Sequence, residues 1–115
     1  MTYRVRITAD AEAAILDQAR YIAVDCDAPI NAARWLNRIL NAADTLETLP
    51  RRCQEADESR SRPYEVRRLL VDGHHLLFTV VEETKTVWVI GFRHGRQLER
   101  AEELPETPER FNDAP

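Results

Sequence analysis

The chain has little glycine, cysteine or methionine and a single lysine among its 115 residues, and each scarcity closes off a class of protein. With Gly73, Gly91 and Gly95 as the only glycines, there is no glycine-rich loop to cradle a phosphate on backbone amides. Nor is there a Gly-x-Ser-x-Gly turn to raise a nucleophilic serine. Nucleotide-binding enzymes and the common serine hydrolases are therefore disfavoured. Cys26 and Cys53 flank a helix predicted over residues 29–49, whose ends lie roughly 30 Å apart at about 1.5 Å rise per residue, beyond the reach of a disulfide. Two free thiols fit a reducing cytoplasm. No apolar run approaches the roughly 20 residues that cross a bilayer, and the N-terminus lacks the continuous apolar stretch of a secretory signal. A cytoplasmic protein with no membrane contact is expected.

What is present is arginine and a lopsided distribution of acids. Lys85 is the only lysine, so nearly all the positive charge is guanidinium, which favours planar, bidentate contacts with carboxylate or phosphate. Of the net charge of -4, all comes from residues 99–115, where six acids face two bases; residues 1–98 balance to zero. Length and composition suit one domain, read as residues 1–97, followed by an acidic, proline-containing tail over 98–115.

Tyr3, Val5 and Ile7 alternate with Arg4, Arg6 and Thr8, the period of a strand with one face in a core. Thr8 is placed to cap a following helix, with Asp10 and Glu12 in its first turn and Ile15, Ala19 and Ile22 at helical spacing as far as Val24. Pro29 opens a second helix whose stripe is Trp35, Ile39, Ala42, Leu46 and Leu49, and Pro50 closes it. The short link between them predicts an antiparallel helical hairpin. Residues 51–63, charged and nearly free of apolar side chains, read as a mobile loop. Three strands follow, over 64–71, 75–82 and 86–93. The first two are joined by Asp72-Gly73, a pair suited to a type I′ turn because both central residues need positive φ. Residues 76–81 and 87–92 are too apolar for strands exposed on one side, so helices should cover one face and a partner the other. A short charged helix is expected over 96–104 and disorder in the last ten or so residues. The fold class is α+β, in the order β-α-α-β-β-β.

For chemistry the sequence offers a basic set. Arg67 and Arg68 lie on the first strand of the meander, His75 on the next, and Arg93, His94 and Arg96 where the last one ends. Together they can supply cations for a phosphate and an imidazole that titrates near neutral pH. The bland alternative is a solvated strand face whose charges are balanced by Glu65 and Glu82. His74 and His75, adjacent on a strand, face opposite ways, and no carboxylate or cysteine stands at a ligand spacing from them, so neither a metal nor another cofactor is expected.

The element order, with Tyr64-Glu-Val-Arg-Arg-Leu-Leu-Val-Asp-Gly-His-His-Leu-Leu-Phe-Thr-Val-Val81 and Val87-Trp-Val-Ile-Gly-Phe-Arg-His-Gly-Arg96, resembles the RelE/ParE family of bacterial type II toxin-antitoxin toxins, over residues 3–97. The resemblance implies a plasmid-stabilisation type toxin neutralised by a cognate antitoxin, as a homodimer or as a heterotetramer with it. It also implies that Arg67, Arg68, Arg93, His94 and Arg96 meet target or antitoxin. One branch of the family cleaves mRNA on the ribosome, with Arg67, His75 and His94 as the catalytic candidates here; the other poisons DNA gyrase without a catalytic cluster. Glu65, His75 and Gly95 depart from the RNA-cleaving pattern, while His94 resembles the closing pattern of the gyrase branch. A ParE-like gyrase inhibitor is therefore expected, ahead of a RelE-like endonuclease acting on ribosome and mRNA, and of a non-toxic module that only binds antitoxin. The acidic tail is a further candidate to fold back over the basic face.

Overall fold

The computed structural model describes residues 2–94 together with Leu104 and Pro105. β1 (Arg4–Ile7) leads into α1 (Ala9–Arg20), and α2 (Pro29–Asp44) completes a helical hairpin. Then come β2 (Gln54–Glu55), β3 (Arg67–Val71), β4 (His74–Val81) and β5 (Thr86–His94). They form one five-stranded sheet in the order β1-β5-β4-β3-β2, with β1 parallel to β5 and every other pair antiparallel. The mixed α+β fold with an N-terminal strand, two helices and an antiparallel sheet follows the expected element order.

Local chemistry accounts for the boundaries. Thr8 caps α1, its hydroxyl oxygen accepting from the Ala11 amide at 3.3 Å. Asp72 and Gly73 take φ of 51° and 77°, as a type I′ hairpin requires. α1 gives way at Tyr21 to a wider π turn over Tyr21–Asp25, within the stretch expected to be regular helix. α2 is shorter than its apolar stripe suggested. It ends at Asp44, passes through one 3-10 turn, and throws Leu49 into the left-handed region at φ 48°, 71% exposed. The buried stripe is Ala32, Trp35, Ile39, Ala43 and Leu46, and Leu49 is not part of it. Arg52 explains the ending: its guanidinium donates to the carbonyls of Thr48 (2.7 Å) and Leu49 (3.2 Å) and to the Thr45 hydroxyl oxygen (3.0 Å). Acceptors that a continuing helix would have used are thereby satisfied.

The sheet is buried on both faces. Against the helices, Leu76, Phe78, Val87 and Val89 pack on Ile15, Trp35, Ile39 and Leu46. On the far face, Leu77, Trp88 and Ile90 lie beneath Ala56, Val66 and Leu104. The segment 51–63, expected to be a mobile loop, thus has a structural part. It forms two 3-10 turns and the edge strand β2, and its Ala56 amide donates to the Val66 carbonyl (2.8 Å). Ser59 accepts the Val66 amide in return (2.9 Å). A one-residue register shift in the β4–β5 pairing leaves Ile90 as the extra residue of a β-bulge. Gly91 follows at the tightest point, where a Cβ would stand 2.6 Å from Leu104 Cδ2.

Candidate functional site on the far face of the sheet

Strand alternation decides which predicted site residues meet. Arg68 pairs with Leu77 and His75 with Arg93, so Arg68, His75 and Arg93 share the face away from the helices. The bulge gives Arg93 its side, because strict alternation from Val89 onward would point it toward the helices. Arg67 does not join them. It turns to the helix side, where its Nε donates to Glu65 Oε1 (2.7 Å) and its Nη1 to the carbonyls of Cys53 (2.5 Å) and Arg51 (3.3 Å). Its side chain, 19% exposed, ties β3 to the chain that follows α2. His94 pairs with His74 through the backbone at the end of β5. Its side chain, Arg96, and the expected helix up to residue 103 lie outside the described residues, as does the tail beyond Pro105.

Arg93 is held by a residue that no local sequence rule selects. Glu58 is completely buried and takes Arg93 in a forked ion pair, Nε to Oε2 at 2.6 Å and Nη2 to Oε1 at 3.4 Å. The pair fastens the 3-10 turn over Asp57–Ser61 onto the sheet. Thirty-five positions separate the partners, and no spacing rule reaches that far. Beside them, burial first and then the charges of Arg93 and Arg68 push the His75 imidazole below its ordinary value. Glu58 and Asp57 oppose that shift only in part. Its Nδ1 is buried and has no hydrogen-bond partner among the described residues. Of the predicted site residues, the far face therefore offers an imidazole biased toward its neutral form and one partly buried arginine, Arg68, whose Nη2 donates to Gln54 Oε1 (2.9 Å). The remaining guanidinium is already committed to a carboxylate.

A second polar cluster lies at the start of β1. Tyr3 (2.7 Å), Lys85 (2.6 Å) and Arg51 all donate to the Glu82 carboxylate. Hydrogen bonds from Lys85, Tyr3 and Arg51, in that order of weight, hold Glu82 down at about 2. Among the described residues no group of three or more histidine, cysteine or acidic side chains is arranged to hold a metal, and no helix is long and apolar enough to cross a membrane. Both cysteines are free.

Comparison with known proteins places this geometry. No curated protein sequence matches significantly. Among solved structures, the chain resembles the chromosomal ParDE toxin-antitoxin system from P. aeruginosa with a TM-score of 0.61 at 17% identity, covering 81% of this chain and 96% of the other. It also resembles the archaeal RelE-RelB complex from Pyrococcus horikoshii OT3, with a TM-score of 0.54 at 16% identity, covering 85% and 100%. These likenesses establish a shared fold. The model of the ParE toxin of the type II toxin-antitoxin system, parDE, matches residues 5–99. With that match spanning both helices and all of the sheet but Arg4, the chain belongs to the ParE toxin family of type II toxin-antitoxin systems.

Proposed function

We propose that this member of the family arrests growth through DNA gyrase and that a cognate antitoxin neutralises it in the cytoplasm. The observation that carries the choice of target is how the sheet spends its cations. Arg67 is engaged with Glu65 and two backbone carbonyls on the helix side, and Arg93 with the buried Glu58. An RNA-cleaving face needs cations free to meet a developing phosphate charge. Here Arg67 and Arg93 serve as internal ties, and the histidine paired with Arg93 is biased toward neutrality. An inhibitor that works by contact has no such requirement. The two similar structures, described as a toxin-antitoxin system and a RelE-RelB complex, support a protein partner.

The test is induced expression without antitoxin, read by growth, the DNA-damage response and mRNA integrity. Gyrase inhibition predicts arrest with a damage response and intact mRNA. Arrest with undamaged DNA and mRNA cut at the ribosomal A site would reject it, as would normal growth. As a separate check, Arg67→Ala and His75→Ala, assayed at matched soluble levels, should retain toxicity.

A further inference from the structure

The polar cluster around Glu82 borders a cavity of about 350 Å³. Tyr3, Leu49, Pro50, Arg51 and Lys85 line it, brought together from the start of the chain, the turn after α2 and the turn between β4 and β5. Cavities of roughly 300–1,000 Å³ hold small ligands when a few polar groups converge on an apolar wall. Here the convergent groups are the two cations, and Glu82, which binds both, is not among the lining residues.

These cations are not spent as Arg93 is. Arg93 lies 11% exposed against a buried carboxylate, whereas the side chains of Arg51 and Lys85 keep 46% and 45% of their surface in solvent. Each retains N–H groups beyond the one given to Glu82. One carboxylate between two cations leaves a positive charge over, and no acid stands among the described residues of the wall to cancel it. The Lys85 ammonium also lies over the Tyr3 ring, 5.4 Å from its centroid, at the aromatic side of the cavity.

The apolar wall is Leu49 and Pro50. Leu49 and Lys85 both sit in the left-handed region, at φ 48° and 51°, where glycine would be less strained. Neither side chain belongs to the core, and both line this cavity. Strain borne by side chains that meet in one concavity is the pattern of a binding site.

We propose that this cavity binds a compact organic acid, a single carboxylate on a branched or aromatic apolar body. The carboxylate meets the remaining N–H groups of Lys85 and Arg51, and the body lies against Leu49, Pro50 and the Tyr3 ring. A dianionic phosphate is a poorer match, because only one surplus charge faces it. Two sources share the favoured chemistry: a free small acid, and the last residue of a peptide that ends in an apolar side chain. The site does not depend on the target proposed above.

The probes are N-acetyl-leucine, its neutral amide, inorganic phosphate, and N-acetyl-triglycyl-leucine with a free carboxylate, each titrated into the full-length isotopically labelled chain. N-acetyl-leucine should bind with a Kd on the order of 1 mM and shift the amide signals of Tyr3, Leu49, Arg51 and Lys85. Its amide should bind about tenfold more weakly. Lys85→Met and Arg51→Gln, each leaving Glu82 one cation, should both weaken the acid by about tenfold. Leu49→Gly removes the apolar wall while relieving the backbone, so a chain at least as stable as the wild type should bind about fivefold more weakly, a pairing that misfolding could not produce. Tighter binding of the tetrapeptide assigns a peptide end, and equal or weaker binding a free acid. No shift at about 10 mM acid, equal affinity for acid and amide, tighter binding of phosphate, or full affinity in the three variants would each overturn the proposal.

Discussion

Glu58 and Arg93 stand or fall together. A carboxylate buried in full is tolerable because a guanidinium meets both its oxygens, and losing either partner leaves an uncompensated charge in a poorly solvated place. Glu58→Ala should therefore cost about 3–5 kcal/mol in urea unfolding. The double variant Glu58→Leu with Arg93→Met should recover most of that loss, since an apolar pair of similar volume avoids the desolvation cost. His75 carries a pH signature of the opposite kind to an ion-paired histidine. Its folded value lies below its unfolded one, so the unfolded chain takes up a proton first as pH falls. Stability from this group is complete above the unfolded value and declines as pH drops toward the folded one. Between about pH 7.5 and 5.5 the unfolding free energy of the wild type should fall more steeply than that of His75→Gln. Equal slopes would show that His75 is not responsible.

At the level of elements, the helix ends are more informative than the helices. Leu49 is left-handed ahead of Pro50, its carbonyl accepting from the Arg52 guanidinium while its side chain remains in solvent, so the chain bears backbone strain there with little burial in return. Leu49→Gly should raise the midpoint of thermal unfolding, a gain of about 0.5–1 kcal/mol. Gly91→Ala should do the reverse, costing about 1–3 kcal/mol by driving a methyl into Leu104. Added to a Leu104→Ala background, the same change should cost much less. The sequence made several elements legible through local rules: the Thr8 cap, the Asp72-Gly73 turn, and Trp35, Ile39 and Leu46 on one face. Even the separation of Arg67 from Arg68 was available from strand period alone. β2, the burial of Glu58 and the bulge at Ile90 were not, because each depends on a partner many residues away rather than on a neighbour three or four along.

Over the whole molecule, the far face of the sheet is a second core assembled from pieces distant in sequence. Leu104 is 5% exposed over Leu77, Trp88 and Ile90, and the Tyr64 hydroxyl donates to the Pro105 carbonyl. Burial pushes the Tyr64 phenol up to about 12. Leu104→Ala should open this layer, shift Trp88 emission to the red and lower stability by about 2 kcal/mol. An unchanged emission maximum would place little weight on the contact. The single extra residue at Ile90 has a consequence for how such a sheet can evolve. Counted along β5, it acts like a change of phase: upstream of it odd-numbered side chains point to the helices, and downstream even-numbered ones do. Deleting Ile90 would restore plain alternation and leave Phe92 toward the helices and Arg93 away from them, whereas keeping every residue and straightening the bulge would exchange the two. Ile90 is thus one residue of slack, whose loss would straighten the strand without changing which residues beyond Gly91 the protein presents to the outside.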